Sequence, residues 1–454
     1  MDTNLQENGQ EKQVERVPAP AESQKTSSRK RKWVYAVLGG VIAVVSFLGG
    51  FGARWYSLDK DMRTLINVKN KIDRDYYKDI TDEEFYTPIF HAINNEVLDD
   101  YSRYIRPEDY KAENASNQGK RSGLGLVFYG SAYEQEWQTV VNRVSGNSPT
   151  EKAGFLAGDK VTGFGVSQEE MVECTSFQQF SDFLYQTADS VPLYVRVQRG
   201  NEEVVLTVTR ANYVESYVLY KSNTTSYTVV GDDDDEVLSV GKPLAVLDND
   251  TAYIRLILFM GRAGDFFEQA LDIFKKEGKK NLVLDLRGNG GGDMKVLQEI
   301  SSYFCKDAKG DNPVISIADY GEHKERFKAE DNEYYDYFTK DSRICVVADS
   351  GTASASEALI GAMLDYGATA YGDICLIEEN GVAKTFGKGI MQTTYIMDWM
   401  ERDALRLTTA RILWPKTGTC IHDRGILASD GTKSVKKQRN TDDELTAVIQ
   451  ALFS

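Results

Sequence analysis

Along the second half of the chain, short apolar runs alternate with amphipathic stretches. TAYIRLILF, NLVLDLR and RICVVAD are nearly continuous apolar runs, as in strands buried on both faces. Between and after them come GDFFEQALDIFKKEG, MKVLQEISSYF and the stretch following Ser354, which carry helical spacing. This alternation predicts an α/β domain with largely parallel strands. TDDELTAVIQALF predicts a closing helix. Over 122–212 the period changes: GLGLVFYG, QTVVNRV and the hairpin VPLYVRVQRGNEEVVLTVTR around Gly200 and Asn201 predict short strands, with one helix near 176–187. Residues 58–112 read as helical, with apolar positions three and four apart in LINVKNKIDRDYY and FYTPIFHAINNEVLDDYSRYI. That face is suited to a neighbouring element or a second copy of the chain.

The amino-terminal end has a different texture. Residues 1–28 lack apolar periodicity and are rich in Gln, Glu, Ser, Pro and Lys, so they predict a disordered tail. The stretch 33–53, WVYAVLGGVIAVVSFLGGFGA, is uncharged, long enough to cross a bilayer, and preceded by RKRK at 29–32. The positive-inside rule then places the amino terminus in the cytoplasm and everything after Arg54 outside it, periplasmic in a bacterium. A cleaved signal is disfavoured by the long polar leader and by the lack of a convincing small-residue cleavage site. The net charge of the 454 residues is -16, and residues 1–32 hold seven Lys/Arg against five Asp/Glu, so the acidic excess lies in the remainder. An acidic body argues against a nucleic-acid partner, which needs clustered cations. The five cysteines (Cys174, Cys305, Cys345, Cys375, Cys420) are scattered, with neither a disulfide framework nor zinc spacing.

Two glycine-rich stretches depart from the nucleotide-binding motifs they approach. RGNGGGD at 287–293 has Asp293 where the last glycine of G-x-G-x-x-G belongs, and GVAKTFGKG at 381–389 has one spacer residue too many and Gly389 in place of a magnesium-binding hydroxyl. GDDDDE at 231–236 lacks the ligand alternation of a calcium loop and reads as a solvated loop. No metal or cofactor is expected. Glycine turns at helix starts also expose amides that can bind a developing oxyanion. DSGTASASE at 349–357 makes a second such turn, between a strand and a helix. Ser354 and Glu357 fit the capping box S-x-x-E, the bland reading of this stretch. If both turns lie at one edge of the sheet, their amides converge on one carbonyl oxygen with Ser354 beside it as nucleophile. His91, His323 and His422 sit in unsuggestive contexts, whereas Lys388 is flanked by glycines and apolar residues that would exclude water. As a base it needs a pKa lowered by ~2 to 3 units through burial. Gln392, four residues on, is placed to hold a neutral amine without adding charge.

The β stretch resembles a PDZ domain through its loop Gly123, Leu124, Gly125, Leu126, the turn SPTEKAG and AGDKV. Such modules add an extended peptide as a strand and hold its carboxylate with loop amides. LVLDLRGNGGG, SGTASASEALIGAMLDYG and TFGKGIMQ, in that order behind a PDZ-like stretch, resemble the C-terminal processing (tail-specific) peptidases over 62–454. LDDYSRYI and LRLTTARILWPKTG add to the likeness. The resemblance implies a crotonase-like (ClpP/crotonase) α/β core and a serine endopeptidase with Ser354 as nucleophile, Lys388 as general base and Gln392 as its orienting partner. It also implies oxyanion donors at the amides of Gly291 and Ala355, and a polypeptide substrate held by its C-terminus. The chain would then divide into a cytoplasmic tail (1–32), a transmembrane anchor (33–53), a helical segment (54–117), a PDZ-like domain (118–212), a peptidase core (213–436) and a C-terminal helix (437–454). A homo-oligomer is compatible with the helical segment. CLIEENGVAK, about nine residues longer than the family pattern, and GILASD, where the family carries a proline-aspartate pair, depart from it. A catalytically inactive PDZ-containing binding or scaffold protein is the competing reading, and the three retained polar residues argue against it.

Overall fold

The computed structural model describes residue 40 and residues 57–130, 138–230, 237–307, 312–330, 334–397, 403–438 and 441–454. The tail, the apolar segment apart from Gly40, and the GDDDDE loop therefore lie outside the described residues. No helix among the described residues is long and apolar enough to cross a membrane. The chain divides into two compact units, 1–89 and 90–454. In the first, helix Lys60–Asp75 is capped by Asp59, whose side chain accepts the Met62 amide, and carries the i,i+4 ion pair Lys69–Asp73.

The second unit is built on a nine-stranded sheet. Strands Thr251–Leu256, Asn281–Asp285, Ile344–Ala348 and Ile374–Glu379 are parallel neighbours in that order, and Lys433–Lys436 runs parallel to the last of them. Val218–Lys221, Ser226–Val229 and Val237–Ser239 continue the other side antiparallel. Alternate residues of the parallel strands serve opposite layers, which is why these strands read as unbroken apolar runs. Leu282, Leu284, Val346 and Leu376 pack with Phe267, Leu297 and Leu359 from helices Ala263–Lys276, Met294–Ser302 and Ala355–Tyr366. Val283, Cys345, Val347 and Cys375 pack with Leu445, Val448 and Leu452 from helix Thr441–Phe453. The closing helix thus packs in the second of the two apolar layers. Glu444 from that helix also meets the Arg287 guanidinium, which is held in turn by Asp285. All five cysteines are free thiols.

A second, five-stranded sheet contains Ile390–Ile396, Ala404–Leu413, Val314–Asp319, Lys324–Lys328 and Arg103–Ile105. The last of these corrects the helical reading of SRYI. Arg103–Ile105 pairs antiparallel with Ala404–Arg406, a long-range partner that local periodicity cannot reveal. The long stretch CLIEENGVAK is also resolved: Asn380 and Gly381, both at positive φ, close a tight hairpin between Ile374–Glu379 and Val382–Ala383. Its Glu379 pairs with Lys437 at 2.9 Å.

Residues 120–214 form a β unit with a core of its own, including Phe128, Val141, Phe164, Phe180 and Val195. Strand Lys120–Gly123 pairs with Ala211–Val214, Leu126–Phe128 with Val141–Val144, and the expected hairpin Leu193–Arg199/Glu202–Val208 forms beside Lys160–Gly165. Helix Phe177–Gln186 starts at an Ser176 cap. Glu215, where the chain leaves this unit, is 2% exposed and accepts from Arg121 and Arg143 at 2.8 Å each. Burial raises its pKa, but the two guanidinium groups outweigh that and hold it below the usual range.

Candidate active site

Because Asn281–Asp285 and Ile344–Ala348 are adjacent and parallel, the turns that follow them leave the sheet at the same edge. Crevices at the carboxyl ends of parallel strands are where α/β sheets bind ligands. The two turns are stitched together. Asp349 Oδ1 accepts the amides of Gly288 (2.8 Å) and Gly351 (2.9 Å), and Thr352 Oγ1 donates to the Leu286 carbonyl (2.7 Å). The Asn289 carbonyl accepts both the Ala353 amide (2.9 Å) and Ser356 Oγ (3.0 Å). Close approach explains one glycine in particular. Gly291 has φ +97°, and a Cβ there would come within 2.8 Å of Ser354 Cβ and of the Ala355 nitrogen.

Ser354 stands at φ +58°, ψ −117°. The other non-glycine residues at positive φ among those described are two asparagines and an aspartate, which tolerate that region; a serine there is strained by roughly 1–3 kcal/mol. Ser354 and Glu357 form the expected capping box, in which the Ser354 amide donates to Glu357 Oε2 at 3.1 Å, while the limb to Ser354 Oγ is too loose to count as a hydrogen bond. The hydroxyl is therefore not committed to capping the helix.

Glu357 does more than cap. Fully buried, it accepts from Thr385 Oγ1 (2.5 Å) and the Gly387 amide (2.8 Å) at Oε1, and from the Lys388 amide (2.9 Å) at Oε2. One carboxylate thus ties the Ser354 turn to the Lys388 segment, a role the capping motif concealed. Burial pushes its pKa up against these four hydrogen bonds. Lys388 is half-buried, and desolvation, then the nearby Arg406 charge, lowers its pKa, while Asp99 opposes. Ser354, Ala355, Gly291, Lys388, Gln392 and Arg406 line one cavity of about 480 Å³. Gln392 Nε2 is buried there with no hydrogen-bond partner among the described residues, beside a bulge in its strand. The Gly291 amide differs from expectation: it donates to Asn289 Oδ1 at 2.9 Å, because the Asn289 side chain folds back to close the turn. The Ala355 amide, first of its helix, has no acceptor among the described residues, as is usual for helix amino termini.

None of the three histidines lines this cavity. The loop Gly123–Leu126 lies in the separate β unit. There the Leu124 carbonyl accepts Thr150 Oγ1 and the Gly125 carbonyl accepts the Ser145 amide, both at 2.8 Å. The structure therefore collects Ser354, Ala355, Gly291, Lys388 and Gln392 in one place and sets the loop apart. It adds Glu357, Arg406 and Tyr101, whose ring centroid is 4.9 Å from Lys388 Nζ. Glu357 carried a signal in its spacing from Ser354, which pointed to a cap, while Tyr101 and Arg406 lay in LDDYSRYI and LRLTTARILWPKTG, stretches that added to the likeness without a role of their own.

The parallel part of the sheet thus carries two glycine-bearing turns, with a strained serine and a desolvated lysine beside one cavity. Residues 250–429 match the model for peptidase family S41, and this match supports a serine-type endopeptidase of the C-terminal processing kind. It is 27% identical over 419 residues to a "Probable CtpA-like serine protease" of Staphylococcus saprophyticus, covering 89% of this chain and 75% of the relative. A protein of the same description from Staphylococcus aureus is 26% identical over 424 residues, with 89% and 74% covered. A solved structure described as a "Putative S41 protease from Bacteroides fragilis" superimposes with a TM-score of 0.51 at 15% identity, covering 84% of this chain and 91% of that one, a likeness of fold.

Proposed function

We propose that the chain is a membrane-anchored endopeptidase that captures C-terminal tails of extracytoplasmic polypeptides and cleaves them with a Ser354/Lys388 dyad. The observation that carries this reading is the Glu357 carboxylate, which binds the backbone amides of both residues beside one cavity. In this mechanism the neutral Lys388 amine takes the Ser354 proton as Oγ attacks the scissile carbonyl. The resulting ammonium then protonates the leaving amine, and the same amine, neutral again, activates the water that releases the acyl group. Gln392, whose Nε2 has no other partner among the described residues, orients Nζ with its carboxamide. The Ala355 amide receives the oxyanion, and the Gly291 amide joins it on leaving Asn289 Oδ1.

The β unit serves as a PDZ-like module that holds the substrate's terminal carboxylate, with the Gly123–Leu126 loop as its receptor. The apolar segment behind RKRK anchors the chain, with the catalytic part on the far side of the membrane. The helical segment provides a surface for a second copy. Ser354→Ala and Lys388→Ala are each expected to abolish hydrolysis of an unfolded polypeptide while melting like the parent. Full activity in either variant refutes the dyad.

A further inference from the structure

The stretch LDDYSRYI supplies strand Arg103–Ile105 and, just before it, Tyr101. Its placement is unusually well fastened. The Tyr101 amide donates to Asp99 Oδ1 at 3.0 Å, Ser102 Oγ accepts the Thr408 amide at 2.8 Å, and Arg103–Ile105 is zipped to Ala404–Arg406. Tyr101 lies between these anchors, with its ring centroid 4.9 Å from Lys388 Nζ. We propose that Tyr101 is a positioning residue for Lys388: its ring covers the amine, keeps bulk water from it and confines Nζ to the Ser354 side of the cavity.

An aromatic ring suits this place better than a carboxylate. A carboxylate would hold the amine as ammonium, whereas a ring attracts the cation weakly and excludes water strongly. The charged groups around Lys388 divide in the same sense. Arg406, from strand Ala404–Leu413, disfavours the ammonium, Asp99 favours it, and Glu357 is engaged with backbone amides and Thr385. Asp99, Asp100, Asp423 and Glu357 lie around the Tyr101 hydroxyl and, after burial, raise its pKa, so the phenol stays neutral. Because the ring and not the hydroxyl is what covers Nζ, phenylalanine should substitute.

The inference rests on Lys388 acting as base, so the test runs both questions in the full chain. Fluorophosphonate labelling of serine and hydrolysis of fluorescent casein are followed against pH for the parent and for Tyr101→Phe, Tyr101→Ala, Tyr101→Gln and Lys388→Ala. Tyr101→Phe should stay within about threefold of the parent, while Tyr101→Ala and Tyr101→Gln lose about tenfold or more in kcat and in labelling near neutrality, with KM little changed. Much of the loss should return at alkaline pH, because a hydrated lysine regains its ordinary, higher pKa and is deprotonated only there. Parent-like profiles in both variants, or a loss equal at every pH, overturn the role of Tyr101 while an inactive Lys388→Ala leaves the dyad standing. An active Lys388→Ala instead removes the dyad, and this proposal with it.

Discussion

Ser354 combines a strained backbone with an uncommitted hydroxyl, and strain of this kind persists only where the surroundings over-determine it. Glu357 is the main such constraint. Replacing it with alanine leaves the Ser354, Gly387 and Lys388 amides and the Thr385 hydroxyl without their acceptor, at about 1–3 kcal/mol for each group that stays buried. Glu357→Ala should therefore lower the urea midpoint and reduce kcat together, and Glu357→Gln should also fail because its amide nitrogen would face donors. A variant with parent stability and kcat would show that the carboxylate does not hold the site. Lys388 makes a prediction about pH. Its folded-state pKa is lowered from the ordinary 10.5, and only the neutral amine is a base, so activity should climb with pH through that depressed value and level off before 10.5. A rate profile flat from acid to alkaline pH contradicts this.

At the scale of elements, the site is the meeting of two turns, and their separation is set by the absence of a side chain at Gly291. Gly291→Ala puts a methyl 2.8 Å from both Ser354 Cβ and the Ala355 nitrogen, at a φ that alanine resists. It should cut fluorophosphonate labelling by more than about tenfold while the far-ultraviolet circular dichroism is retained, since the flanking strand and helix keep the buried apolar contacts of Leu282, Leu284, Leu297 and Ile300. Unchanged labelling would mean that the turns need not touch. The elements themselves were largely legible. The runs NLVLDLR and RICVVAD became adjacent parallel strands, and helices Ala263–Lys276, Met294–Ser302 and Thr441–Phe453 fall where the apolar spacing put them. SRYI was misread because its strand character comes from a partner some three hundred residues away.

At the scale of the whole molecule, the layer beneath the active-site turn is held by charge. Asp285 is fully buried and accepts from Tyr253 and Arg287, and Arg287 reaches Glu444 on the last helix. Burial alone would raise the Asp285 pKa, but the Arg287 charge outweighs it and brings it to about 2 from 3.8. A depressed carboxylate contributes stability that is complete above its unfolded pKa and lost as pH falls through the folded value. Asp285→Asn should thus destabilise by about 3–5 kcal/mol near neutral pH, because the Arg287 charge is left without its closest partner. The difference from the parent should shrink as pH falls from about 4 to 2, as measured by urea unfolding. A deficit constant across that range would place the stabilisation elsewhere.

Local sequence determined the strand and helix periods, the two glycine-bearing turns and the identities of Ser354, Lys388 and Gln392 as chemically apt residues, because hydrophobic spacing and turn chemistry act over a few neighbours. Tertiary structure alone decided that the turns share an edge, that Glu357 joins the serine to the lysine segment, that Asn289 takes the Gly291 amide, and that Tyr101 covers Lys388. Those outcomes depend on strand order and on hydrogen bonds between residues tens to hundreds of positions apart, and no local pattern records which distant segment will arrive.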